Sequence, residues 1–101
     1  MPEKTYTVRI HPRVSAQLQR HAEFIAQISK PAAIRFRNDF KQIIHEIANN
    51  PFLFPNDPTI SVDGYKRALF GKWYKAIFYV EGNSVYLDAI VDCRQEISND
   101  W

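Results

Sequence analysis

Three short apolar and aromatic runs, Tyr65 to Phe70, Trp73 to Val80 and Ser84 to Asp92, follow one another with only Gly71-Lys72 and Glu81-Gly82-Asn83 between them. Gaps of two or three residues that contain glycine are hairpin turns, so the runs are predicted as a three-stranded antiparallel meander. One face of such a meander must meet apolar partners. The first half of the chain supplies them.

Thr5 to Ile10 alternates, with Tyr6, Val8 and Ile10 on one side and Thr5, Thr7 and Arg9 on the other, which is the period of a half-buried strand. It ends at His11-Pro12, and proline is favoured at a first helical position. From there Val14, Leu18, His21/Ala22, Ile25 and Ile28 recur at three- and four-residue spacing, the stripe of an amphipathic helix. Ser29-Lys30-Pro31 breaks this helix and opens a second, because the residue before proline resists helical dihedrals and serine caps the next turn. The second helix carries Ala33, Phe36, Phe40, Ile43/Ile44 and Ile47 on its apolar side and stops at Asn49-Asn50-Pro51. So short a break predicts an antiparallel helical hairpin, both stripes laid on the sheet. Pro51 to Asp63, with Pro51, Pro55 and Pro58, is a proline-punctuated crossing loop. The order strand, helix, helix, strand, strand, strand is that of an α+β two-layer domain spanning residues 1–101. Along the last strand, strict alternation puts Val85, Leu87, Ala89 and Val91 on one face and Tyr86, Asp88, Ile90 and Asp92 on the other.

With 101 residues, 46% of them hydrophobic, the chain has enough apolar material for one small core. Its single cysteine, Cys93, excludes an intramolecular disulfide and is expected to be a small buried apolar group. With no leader-like or membrane-spanning run, the chain is expected to be cytoplasmic. His11, His21 and His45 lie far apart without Cys, Asp or Glu at metal-ligand spacing, so no metal or other cofactor is implied. His21 is expected at the edge of the core and His45 at a helix boundary. Three glycines leave no phosphate-cradling loop, and no serine sits in a nucleophile elbow.

The net charge of +2 does not by itself predict nucleic-acid binding, but four bases and no acid fall between Tyr65 and Lys75. Lys66, Arg67, Lys72, Lys75 and Arg94 come from three strands that hairpin geometry brings together, and they are expected to project from the sheet face away from the helices. With Tyr74, Tyr79 and Tyr86 nearby, such a wall can hold phosphate or stabilise charge developing in phosphodiester cleavage. The plain alternative is a solvated face whose lysine stems cover apolar area.

Tyr6-Thr7-Val8-Arg9-Ile10-His11-Pro12, the helical pair, Gly64-Tyr65-Lys66-Arg67, the run Trp73 to Val80, and Ile90-Val91-Asp92-Cys93-Arg94-Gln95 together resemble the RelE/ParE family of type II toxin-antitoxin toxins, from about Thr5 to Gln95. The resemblance implies a cognate antitoxin with an acidic tail and one of two activities on the same fold. A ParE-like member inhibits DNA gyrase by binding it; Lys66, Arg67, Lys72, Trp73 and Tyr74 are the expected binding residues, and the antitoxin tail is expected to bury Trp73 and Tyr74 and to pair with Lys66, Arg67 and Lys75. A RelE-like member cleaves messenger RNA on the ribosome without a metal, and Lys75 and Arg94 match two of that branch's basic positions. The terminal tyrosine of the ribonuclease branch has no equivalent in Gln95 to Trp101, which favours the ParE-like activity. A non-toxic orphan binding module is the third possibility.

Overall fold

The computed structural model describes residues 5–94. Strand β1 (Thr7–Ile10) leads into helix α1 (Pro12–Ile28) and helix α2 (Lys30–Asn49). A single 3-10 turn at Pro51–Leu53 and an irregular crossing follow, then strands β2 (Lys66–Phe70), β3 (Tyr74–Glu81) and β4 (Ser84–Asp92). The sheet order is β1-β4-β3-β2. The meander β2-β3-β4 is antiparallel, and β1 adds to its far side parallel to β4, with Thr7 opposite Ser84 and Ile10 opposite Leu87.

Local chemistry sets the helix ends. Pro12 occupies the first turn of α1, and the His11 imidazole caps it by accepting from the Arg13 N–H at 3.0 Å. Ser29 serves both helices: its N–H donates to the Ile25 carbonyl, and its hydroxyl accepts from the Ala32 N–H at 3.2 Å. One serine therefore ends α1 and starts α2, which is why the hairpin needs no longer connection. The Gln17 side chain, accepting from the Ile90 N–H at 2.8 Å, pins α1 to β4.

Between the two layers Val14, Ile47, Phe78, Val85 and Leu87 are almost completely buried. Phe36 and Phe40 of α2 meet Phe70 and Tyr74 of the sheet, with ring centroids 4.7–5.6 Å apart for Phe36–Tyr74, Phe36–Phe70 and Phe40–Phe70. Each such side chain contributes about 1.5–3 kcal/mol by leaving water.

Three expectations need correction. Alternation along β4 is interrupted: Ile77 pairs with Ala89 but Phe78 pairs with Leu87, leaving Asp88 as an extra residue in a β-bulge. The bulge shifts the pleat by one, so Val85 and Leu87 are followed into the protected side by Ile90 and Asp92, not by Ala89 and Val91. His45 lies within α2 on its exposed side, one turn before the end. Cys93 is half-buried rather than buried, its N–H donating to the Trp73 carbonyl at 2.8 Å. Among the described residues no helix is long and apolar enough to cross a membrane.

Candidate functional site

The bases selected from the sequence do not form one wall. Lys66 turns to the helix side, where its ammonium donates to the Phe54 carbonyl at 2.9 Å and lies 5.7 Å from the centre of the Phe52 ring. Arg67, its neighbour on β2, faces the other way and is half-buried. Four strand residues at about 3.4 Å each separate Lys66 from the turn that carries Lys72.

Lys75 departs furthest from the expected position. It does point away from the helices, but the crossing segment lies over that face: Asp57 N–H donates to the Tyr65 carbonyl and Arg67 N–H to the Pro55 carbonyl, so residues 55–57 follow the outer edge of β2. The segment sets the Asp57 carboxylate 2.6 Å from the Lys75 ammonium, with side-chain exposures of 0% and 3%. Thr59 donates to the same carboxylate through its N–H at 2.7 Å and also through its hydroxyl. Burial alone would raise the Asp57 carboxyl, but the hydrogen bonds from Lys75 and Thr59 outweigh it and hold the carboxyl below its ordinary value. Lys75 is thus a buried, neutralised clamp.

A different constellation gathers where the α1–α2 hairpin meets the β2–β3 turn. Phe24, Ile28 and Arg35 of the helices and Lys72, Trp73 and Arg94 of the sheet end line a cleft of about 370 Å³, floored by Phe36 and Tyr74. Phe24, Ile28 and Trp73 are 56%, 78% and 43% exposed, so three large apolar side chains meet water at one place. The rim carries Arg35, Lys72 and Arg94 against a single acid, Asp39. Arg94 is held in a fork by Asp92, donating at 3.1 Å and 3.0 Å to its two oxygens, and its guanidinium lies 5.4 Å from the Trp73 ring centre. Lys72 stands 5.3 Å from the same ring.

The turn presenting Trp73 is itself unusual. Gly71 and Lys72 both have positive φ, +57° and +73°, and the Trp73 N–H donates to the Gly71 carbonyl at 2.8 Å, which makes Lys72 the centre of a γ-turn. Trp73 therefore belongs to the turn, and β3 begins at Tyr74, one residue later than the spacing suggested. A Cβ on Gly71 would come 3.3 Å from Phe36 Cδ1, so neither dihedral nor space favours a side chain there. Gly71→Ala is expected to cost about 1–2 kcal/mol, read as a lower denaturant midpoint with an unchanged slope.

Charge at the cleft is set by burial and by one fork. Asp92 is kept below its ordinary carboxylate value first by the Arg94 hydrogen bonds, while burial opposes them. Tyr74 is pushed up by burial and by the Asp92 charge. His21, whose ring lies 5.0 Å from Tyr74 and 6.3 Å from Phe36, is lowered chiefly by burial, against the attraction of Asp92. In all three acid-sensitive groups, His21, Asp57 and Asp92, the folded value lies below the unfolded one, so the unfolded chain takes up protons first as pH falls. Stability is expected to be full above about pH 7, to slip as pH drops below 6.5 through His21, and to fall steeply below 3.8 as the two carboxylates protonate. Thermal melts between pH 8 and pH 3 check this, and His21→Phe should remove the first step alone.

Asp57, Asp92, Phe24, Ile28 and Arg35 were not singled out from the sequence. Phe24 and Ile28 had left a signal: they are an apolar pair four apart, and Phe24 lies off the helix stripe. Among the described residues no group of three or more His, Cys, Asp or Glu side chains is placed to hold a metal ion.

The family model for the ParE toxin of type II toxin-antitoxin systems, parDE, matches residues 8–97. Among solved structures, the chain is similar to one described as the chromosomal ParDE TA system from P. aeruginosa, with a TM-score of 0.72 and 15% sequence identity over 89% of this chain and 98% of that one. At that identity the likeness is one of fold. No curated protein matches the chain.

Proposed function

The chain belongs to the ParE toxin family of type II toxin-antitoxin systems, and we propose that it arrests growth by binding DNA gyrase and is neutralised by a cognate antitoxin. One observation carries the choice of a binding toxin over a ribonuclease: the two cations that a cleaving member would use are already engaged. Lys75 is buried against Asp57, and Arg94 is forked onto Asp92. A group that stabilises developing charge on a substrate needs its own charge available at the reacting atoms. What the surface offers instead is the apolar cleft with a cationic rim.

That cleft suits the antitoxin. An amphipathic acidic segment would bury its apolar side chains on Phe24, Ile28 and Trp73, over the Tyr74 floor, and place its carboxylates against Arg35, Lys72 and Arg94. An apolar centre with a charged rim is the usual anatomy of a specific protein interface. Arg67, on the face of β2 away from the helices, is assigned to the gyrase-binding surface outside the cleft, whereas Lys66 is held on the other face by the Phe54 carbonyl.

Purified protein is expected to inhibit gyrase supercoiling of relaxed plasmid and to leave ribosome-bound message intact, and its expression without antitoxin should stop bacterial growth. Cleavage of message on the ribosome that disappears in Arg94→Ala would overturn the proposal. Arg94, with 47% of its side chain exposed, can be truncated with less risk to the fold than buried Lys75.

A further inference from the structure

On the sheet face away from the helices, at the β1 end, lies a second hollow that the toxin surface does not use. Arg9 pairs with Tyr86, and Tyr86 with Tyr79, in register across β1, β4 and β3. Tyr79 and Tyr86 are stacked, with centroids 5.0 Å apart and planes 14° from parallel, and Tyr65 meets the other flank of Tyr79 edge-on at 5.4 Å. The row Arg9, Tyr86, Tyr79, Tyr65 thus ends, on the Arg9 side, in an aromatic face. That end is concave: Arg9, His11, Tyr79, Tyr86 and Asp88 border a pocket of about 220 Å³.

The polar groups around the pocket are of two kinds. Asp88 is there because it is the extra residue of the bulge, and its carboxylate is one-third exposed. Arg13 is its nearest cation, at 3.7 Å between Nη2 and Oδ1, with half of the arginine side chain in water. An exposed pair at that distance contributes little and is replaced at small cost. Arg9 and His11 lie on β1 and at the head of α1, both exposed. The hollow therefore offers an aromatic plane, one carboxylate and a cationic edge. It has room for a single planar group, not for a chain.

We propose that this pocket binds a free guanine nucleotide: the base stacks on the face of Tyr86 turned from Tyr79, its N1–H and exocyclic amino group donate to the Asp88 carboxylate, and its phosphate meets Arg9. Guanine is the common base that presents two adjacent donors on one edge, which a carboxylate accepts together, whereas adenine, cytosine and uracil present a single donor beside an acceptor that the carboxylate repels. Stacking on tyrosine is open to every base, so Tyr86 gives affinity and Asp88 gives choice.

The experiment titrates the full chain with GMP, guanosine and AMP by calorimetry. GMP is expected to bind about tenfold or more tightly than AMP. Asp88→Asn should bring GMP down to the AMP level, and Tyr86→Leu should weaken all three ligands about tenfold. Arg9→Ala should bring GMP to the level of guanosine and leave guanosine unchanged. Thermal melting of each variant verifies folding, and Asp88→Asn, at a bulge whose side chain is one-third exposed, keeps the test open if Tyr86→Leu fails to fold. Equal affinity for GMP and AMP, or an unaltered preference in Asp88→Asn, overturns the proposal. So does binding of a guanine-containing single-stranded octanucleotide that GMP does not displace. Because the pocket lies at the β1 end of the sheet, across β4 and β3 from Arg67 on β2, Asp88→Asn should still inhibit supercoiling, and failure of either function leaves the other testable.

Discussion

Asp57→Asn is expected to lower the unfolding free energy by about 3–5 kcal/mol, because it leaves the Lys75 ammonium, 3% exposed, without its counter-charge. In a domain of this size each kcal/mol moves the thermal midpoint by roughly 4–8 °C, so a loss of tens of degrees should be measurable by calorimetry. Asparagine retains an oxygen that can accept from Thr59, and the loop's local turn is therefore not what fails. The double change Asp57→Leu with Lys75→Met separates charge from packing. Two apolar groups of similar length remove both desolvation penalties at once, and replacements of this type are often neutral or stabilising. The double variant should recover much of the lost midpoint and fall short of wild type by the two Thr59 hydrogen bonds that leucine cannot accept, about 1–3 kcal/mol. A single Asp57→Asn that melts within about 1 kcal/mol of wild type would mean that water or neighbouring groups already solvate the ammonium.

Trp73→Ala should act in the opposite manner, leaving the fold nearly intact and removing most of the affinity for the antitoxin. Its ring is 43% exposed, and its neighbours Lys72 and Arg94 gain only the modest cation–π attraction of a wet site, about 0.5–1 kcal/mol. Bound, the same ring would be enclosed at the centre of a patch that also contains Phe24 and Ile28. Tryptophan and arginine in such positions dominate interface energetics, and truncation typically costs 2 kcal/mol or more, about thirtyfold in Kd. Titration of the toxin with the antitoxin's acidic segment should show this loss while the melting midpoint moves by only a few degrees. In cells, the variant should escape an antitoxin dose that silences the wild type. An affinity within threefold of wild type would place the antitoxin elsewhere.

The sequence already displayed the frame because its signals are local. Ser29-Lys30-Pro31, the stripe from Val14 to Ile47 and the glycine turns at Gly71 and Gly82 each fix a backbone conformation within a few residues. What escaped notice depends on chain crossings. Asp57 sits in an Asn-Asp-Pro turn that looks like any other surface loop, and nothing near it reveals that the loop folds over β3 to reach Lys75. The Asp88 bulge is equally silent: Ser84 to Asp92 alternates in polarity well enough to hide the one-residue slip that turns Ile90 and Asp92 inward. Lys75 was therefore placed on the correct side of the sheet and assigned the wrong surroundings. The cleft was half legible. Lys72, Trp73, Tyr74 and Arg94 stand out as cationic and aromatic residues, whereas Ile28 reads as part of the buried α1 stripe and Phe24 lies off it, although both are exposed at the cleft.

The parallel seam between β1 and β4 has a consequence for the birth of the molecule. Among the described residues β4 is the last strand to be translated, yet it lies between β1 and β3 and supplies Asp92, which orients Arg94 at the cleft. A growing polypeptide on the ribosome can assemble its helical hairpin early, but the sheet closes and Arg94 locks only after β4 has been added. The cleft of each new copy is thus completed in one late step, when Asp92 and Arg94 come into place together.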